Sequence, residues 1–392
     1  MGRLGEIAAV FTKLGFLAFG GPAAHVAMME DELVDKRHWL DREHFLSAVS
    51  AVQIVPGPNS TELAIHMGWL RGGFAGLVVA GACFIGPAVL IILPLAWLYV
   101  AGQQGAYRPW LEALMGGIAP VVLAIIANAL VRFAQTSCRT PFHAALAIGG
   151  AVGAVLLTGT VVQREIVVLA VAAGIGMAWS LRPAGKSLAI ALPATLPAVA
   201  DAHPTLLELG WFMLKVGGTL FGSGYVLVSY LQSGLVEQRG WLTEPQLLDA
   251  IAVGQTTPGP LLTTATFVGY VVGAESPALH PLTAALLATA AMFGPSFVFV
   301  ALFSPVLEKL RGKPLAKAAL LAMNAAVVGL IAVVALELLA PATTFATSRA
   351  DPASITLAVA ALAVLLWKKP NATWLILIGA GYGLIRHGLT RS

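Results

Sequence analysis

Two short stretches concentrate the polar chemistry of an otherwise strongly apolar chain. AVQIVPGPNSTELA spans 51–64 and VGQTTPGPLLTTAT spans 253–266. Each sets a glutamine three residues before a Pro-Gly-Pro: Gln53 before Pro56-Gly57-Pro58, and Gln255 before Pro258-Gly259-Pro260. Asn59, Ser60 and Thr61 follow the first break. Thr256 and Thr257 lead into the second, and Thr263, Thr264 and Thr266 follow it. Hydroxyls and amides donate hydrogen bonds without carrying charge. A proline stops a helix, and the helix that restarts after it presents free N–H groups and a partial positive charge. Such an end attracts anions. The chemistry these residues suit is the holding of an oxyanion.

Two cations match the pattern. Lys13 and Lys215 lie in apolar segments, each followed by a glycine-rich step: Gly20 and Gly21 after the first, Gly222 and Ser223 after the second. An ammonium within a membrane needs a partner, and a divalent anion would serve two of them. Glycines let backbone N–H groups approach a guest closely. Glu62 and His25 have no counterpart in the second set, where Thr264 and Leu227 stand. An asymmetric ionisable pair beside a symmetric site is a candidate for proton coupling. His66, Asp249 and Glu337 are weaker candidates of the same kind. The sequence holds no HExxH, GxSxG or Walker A pattern, so no catalytic residue, metal ligand or cofactor is expected and the chain does not read as an enzyme. The GAGYG of Gly379–Gly383 reads as small-residue helix packing.

The elements that must position these residues follow from composition. Of 392 residues 58% are hydrophobic and 11% charged, and the mean hydropathy is +0.84. A soluble surface needs about 25% charged residues. Runs such as Gly73–Val100 and Leu315–Ala340 match the roughly 20 residues of a spanning helix. The fold class is an all-α polytopic membrane protein. The net charge of +4 does not argue for nucleic acid, and the two cysteines form no disulfide or metal pattern. No cleaved signal peptide is expected at the start of the chain, since Lys13 interrupts its first apolar run.

The chain also repeats itself. At an offset of 202, sixteen of the 46 positions from 13 to 58 are identical, including Lys13/Lys215, Trp39-Leu40/Trp241-Leu242, both glutamines and both Pro-Gly-Pro breaks. The expected units are 1–181, a Pro-rich linker over 182–205, and 206–392. Each begins with a Gly-interrupted apolar segment (6–29; 206–231). A helix then starts after an N-cap, Asp41 or Thr243, and breaks at Pro-Gly-Pro. The pieces on either side of the break, about 13 residues each, form a re-entrant hairpin (43–69; 245–272). Four apolar segments complete each unit: about 73–100, 111–131, 142–160 and 165–181, then about 281–304, 315–340, 353–367 and 371–388. Five crossings per unit plus the hairpin invert the second unit. Lysines and arginines then divide fourteen to seven in favour of the cytoplasm, and the bias swaps between equivalent loops: the one near Arg108 is nearly bare, while its partner holds Lys309, Arg311, Lys313 and Lys317. Inverted repeats are the pattern of many secondary transporters, with one half rocking against the other.

FGGPAAHVAMMEDELVDKRHWLDREHF and PGPNSTELAIHMGWLRGG, with FGSGYVLVSYLQSGLVEQRGWLTEPQL and GQTTPGPLLTTATFVGY, resemble the chromate ion transporter family in its long, two-domain form. The resemblance runs over essentially the whole chain. It implies a multi-pass protein of the bacterial inner membrane that exports chromate and so confers chromate resistance. It also implies proton-motive force as the driver and sulfate as the look-alike competitor. The residues themselves indicate a tetrahedral oxyanion; a sulfate transporter, an anion channel and a homodimer stay open.

Overall fold

The computed structural model describes residues 2–19, 21–53, 55–103, 105, 107–158, 164–181, 204–222, 224–304, 314–344, 351–368 and 370–391. Gly20, Ser223, most of the linker (182–203) and several residues of the charge count (Arg182, Lys186, Lys309, Arg311, Lys313, Arg349 and Lys369) lie outside them. Among the described residues the regular structure is all helical.

The first unit opens with α1 (Arg3–Leu17) and α2 (Pro22–Glu30), which widens into a π-helical turn over Asp31–Lys36. The single apolar segment expected over 6–29 is thus two helices. Gly21, at φ +82°, turns the chain in a conformation that other residues resist, and Pro22 then starts α2 at its first position. α3 (Arg42–Val52) begins where Asp41 accepts the His44 N–H at 2.8 Å. The Pro-Gly-Pro break follows, and α4 (Asn59–Gln103) bends sharply at Gly72–Gly73. Gly73, at φ +60°, folds the two arms of α4 back on each other, with Gly68 against Gly76 and Ala80. Then come α5 (Arg108–Ser137), α6 (Pro141–Leu156) and α7 (Arg164–Ser180).

The second unit repeats the order: α8 (Leu206–Thr219), α9 (Val226–Leu231) with its own π-helical turn, and α10 (Glu244–Thr256), whose Thr243 and Gln246 form a capping box. After the second break come a 3₁₀ turn (Leu261–Thr263), α11 (Thr264–Glu275) and α12 (Pro281–Phe303). The rest is α13 (Pro314–Glu337), a short α14 (Leu339–Thr343), α15 (Pro352–Lys368) and α16 (Ala372–Arg391). α4, α5, α12 and α13 are long and apolar enough to cross a membrane, and α6, α11 and α15 are shorter apolar helices. Large apolar side chains such as Leu90, Leu98, Ile148, Leu156, Val359 and Ile385 point outward. That is the surface of a multi-pass membrane protein facing lipid.

Packing repeats with the sequence. α1 lies on the long arm of α4, where a methyl at Gly15 would strike the carbonyls of Phe84 and Cys83. α8 lies on α12 in the same way, with Gly217 against the carbonyl of Met292. Farther along the chain the units exchange helices. α5 packs on α15 and α16 of the second unit, through Gly117 against Gly379 and Gly383. α13 packs on α6 and α7 of the first, through Gly329 against Ala147 and Gly150. Small residues let helix backbones meet in this way. The molecule therefore divides spatially into a bundle built on α1, α4, α8, α11 and α12 and a frame of α5, α6, α7, α13, α15 and α16. Both contain pieces of both units, so two separable halves rocking on each other do not describe this fold.

Candidate anion site at the crossed breaks

The two Pro-Gly-Pro breaks are bound to the opposite unit by matched bonds. The Gly57 N–H donates to Leu220 O at 2.7 Å, and the Gly259 N–H donates to Ala18 O at 2.8 Å. These four residues are two repeat-equivalent pairs: Gly57 with Gly259, and Ala18 with Leu220. Ala18 and Leu220 end α1 and α8, so each break docks on the terminus of the other unit's first helix. Both glycines need their freedom, at φ +138° and +105°. A helix that stops inside a membrane must find partners for its backbone, and these crossed bonds supply one for each break.

The first break is the more polar. His25, buried on α2, reaches Ser60 Oγ at 3.1 Å with Nδ1 and Ala18 O at 3.0 Å with Nε2. A carbonyl only accepts, so Nε2 carries a hydrogen. Ala18 O thus receives both His25 and Gly259, and a continuous path runs from Ser60 beside one break to Gly259 in the other. Glu62 is fully buried one turn into α4, with its carboxyl against Gly57 and the Ser296 hydroxyl of α12. No ion pair reaches it among the described residues. Thr61 Oγ1 is also buried there without a hydrogen-bond partner among the described residues. The N–H groups of Thr61 and Glu62 return to Pro58 O, at 2.7 and 3.1 Å. Asn59 stands half-buried at the first position of the helix, and Pro56 and Pro58 flank the turn.

The second break is drier. Thr264 occupies the repeat position of Glu62 and donates to Leu261 O at 2.7 Å. Thr256 and Thr257 donate back to Val253 O, each at 3.0 Å, so these hydroxyls cap their own helix and are not held open. Pro258 and Pro260 are buried, and Gly259 sits against Ala88, the counterpart of Ser296. Gln255 donates to Tyr225 OH at 2.9 Å, whereas Gln53 is exposed. The matched glutamines therefore have unlike surroundings.

The lysines differ too. Lys13 is half-exposed and pairs with Glu32 at 2.7 Å. Glu32 lies in the π-helical turn after α2 and also takes Arg37 at 2.9 Å. The hydrogen bond from Lys13, and then that from Arg37, hold its carboxyl below the usual carboxylate range. Lys215 has Gly234 where Lys13 has Glu32, and lies 5.6 Å over the Trp211 ring. Gly222, at φ +89°, abuts Asn324 of α13, while a side chain at Gly21 would meet open space.

Two polar groups lie away from the breaks. Arg164, at the start of α7 and 1% exposed, meets Glu237 at 3.0 and 3.1 Å, Glu337 at 3.4 Å and Glu165 at 3.5 Å. A cavity of about 700 Å³ opens where α4, α5, α10 and α16 converge, lined by Tyr99, Arg108, Glu112, Glu244, Asp249 and His387 among others. Within it Tyr99 donates to Asp249 at 2.7 Å. α10 runs from this cavity to the second break.

The chromate transporter family model matches the chain twice, over residues 5–177 and 207–384. The chain belongs to the chromate transporter family. It is 30% identical over 400 residues to the chromate transport protein of Cupriavidus metallidurans, covering 98% of this chain and 94% of that one. It is 31% identical to the chromate transport protein of Pseudomonas aeruginosa, over 85% and 80% of the two chains. The probable chromate transport protein of Synechococcus elongatus is 29% identical over 78% and 77%. No solved structure matches. The sequence pointed to both breaks and to His25, but not to Ala18, Leu220 or Ser296. Carbonyls at helix ends leave no side-chain mark. Ser296 did leave one, as the residue after Gly294-Pro295 where the first unit has Ala88 after Gly86-Pro87.

Proposed function

We propose that this protein is a secondary transporter that exports chromate across the bacterial inner membrane and so confers chromate resistance. Family membership supports the substrate. The pair of crossed backbone bonds carries the assignment of the site, because it brings both breaks and the ends of α1 and α8 into one buried place. The anion would sit there between the two breaks. The first turns of α2, α4 and α11 would supply helix N-terminal field and N–H groups, with Ser60, Asn59 and the breaks of both units around it. Lys13 reaches an anion only by leaving Glu32, so its proposed contribution is an exchange of partners; Lys215 has no carboxylate to leave among the described residues.

The two units would lie upside down to one another, with the Lys36 loop in the cytoplasm; the swap of charge between equivalent loops supports this. An inside-negative potential then favours outward movement of a dianion by about 4.6 kcal/mol per 100 mV, from about 2.3 for each charge. Because the units exchange helices, the motion that alternates access would be the bundle sliding against the frame. Vesicles of known orientation test the reading. Radiolabelled chromate should move from the cytoplasmic to the outer face, saturably, with sulfate competing more weakly. Inward-only flux would overturn export. Non-saturating flux that tracks voltage would make the protein a channel.

A further inference from the structure

The first break holds a charge problem that the second does not. Glu62 sits on the opening turn of α4 with 0% exposure, its carboxyl against Gly57 and Ser296, and no guanidinium or ammonium pairs with it among the described residues. A carboxylate on that turn occupies the field that would draw a guest anion. An ionised Glu62 and a dianion at the crossed breaks would repel each other across a site that excludes water, where screening is weak. The repeat shows how the site looks without this feature: Thr264 and Ala88 replace Glu62 and Ser296.

We propose that Glu62 is the proton-linked gate of the anion site: chromate loads together with one proton, which sits on the Glu62 carboxyl and donates to Ser296. This deepens the functional reading above and rests on the anion lying between the breaks. On loading, one proton from water bonds to a carboxylate oxygen of Glu62; it leaves when the anion leaves. The charge moved with each chromate falls from two to one. The other titratable groups near this face have their own partners. Both ring nitrogens of His25 are engaged, by Ser60 and Ala18. His66, on the same helix, meets Ser304 just past the end of α12 at 2.8 Å, and on α1 Glu6 pairs with Arg71 and Lys13 with Glu32.

Purified full-length protein in a weakly buffered solution with a pH dye, titrated with chromate and separately with sulfate, tests this. Above the pH at which Glu62 ionises in the free protein, the wild type should take up close to one proton per chromate bound. Its affinity should fall about tenfold per pH unit above the transition, as linkage to one proton requires. Glu62→Gln should bind chromate with no proton uptake and an affinity flat across the same range. Proton uptake that survives in Glu62→Gln, or wild-type binding that ignores pH, overturns the gate. Should Glu62→Gln not fold, the wild-type proton count and pH slope taken with sulfate, which unlike chromate binds no proton of its own near neutral pH, still decide it. Should the folded wild type bind neither anion, the site reading itself fails, and the gate with it.

Discussion

The two Pro-Gly-Pro breaks share one backbone solution and differ in what is laid beside it. Each turns at a glycine of positive φ and gives that glycine's N–H to the opposite unit. Around the first stand Glu62, Ser296, and His25 with Ser60; around the second, Thr264, Ala88, and a threonine set bonded to its own helix. The duplicated part is the backbone arrangement that brings helix ends together. The unduplicated part is the ionisable chemistry. A scaffold can be symmetric while its coupling group is single, because one protonation site suffices for one guest.

The comparison can be broken at its glycines, where the largest effect is expected. Gly57→Ala adds left-handed strain of about 1–3 kcal/mol and drives a methyl into Glu62 and Ser296. Gly259→Ala adds similar strain but meets only the Ala88 methyl, at 3.0 Å. Thermal unfolding in detergent should show Gly57→Ala as the more damaging, with chromate binding lost. Equal losses would mean that Glu62 does not fill the space beside Gly57.

Next in size is the exchange of neighbours. Ser296→Ala removes the hydroxyl that faces a buried carboxyl and should cost about 1–3 kcal/mol, whereas Ala88→Ser should stay within about 1 kcal/mol. If the two substitutions cost the same, the asymmetry between the breaks has no energetic content. His25→Leu, which copies Leu227 of the second unit, severs both Ser60 and Ala18 and should fall in the same 1–3 kcal/mol range, with weakened chromate binding. Unchanged binding would remove the path between the breaks from function.

The smallest contrast concerns the lysines. Lys215→Ala should weaken chromate binding more than Lys13→Ala, because Lys13 is already held by Glu32. Both should exceed Arg71→Ala, whose guanidinium pairs with Glu6. Isothermal titration ranks the three, and an Arg71→Ala loss as large as either would point away from the breaks.

Much of this molecule could be read from its sequence. Pro-Gly-Pro announces a broken helix because proline lacks the N–H and clashes with the turn before it, and the capped starts at Asp41 and Thr243 lie where short polar N-caps put them. The later apolar segments fell within a turn or two of α5 to α7, α12, α13, α15 and α16, while the short α14 was not expected. The split of the first segment at Gly21-Pro22 was harder, since its apolar run continues through the break. The contacts that unite the site were not legible. Two are main-chain carbonyls, which every residue carries alike, and the exchange of α5 and α13 depends on glycines whose spacing resembles that of any packed membrane helix. The salt bridge of Lys13 escaped because Glu32 is nineteen positions away, beyond the Gly21 turn and α2.

That exchange of helices has a consequence for how the protein is made. As the chain emerges from the ribosome, α5 enters the bilayer some two hundred residues before α15 and α16, the surfaces its Gly117 face fits. Until α16 is made, α5 holds an unmatched groove, and α6 and α7 wait likewise for α13. Packing of α5, α6 and α7 therefore waits for α13, α15 and α16, and a chain cut short after the first unit would leave those three helices without these packing partners.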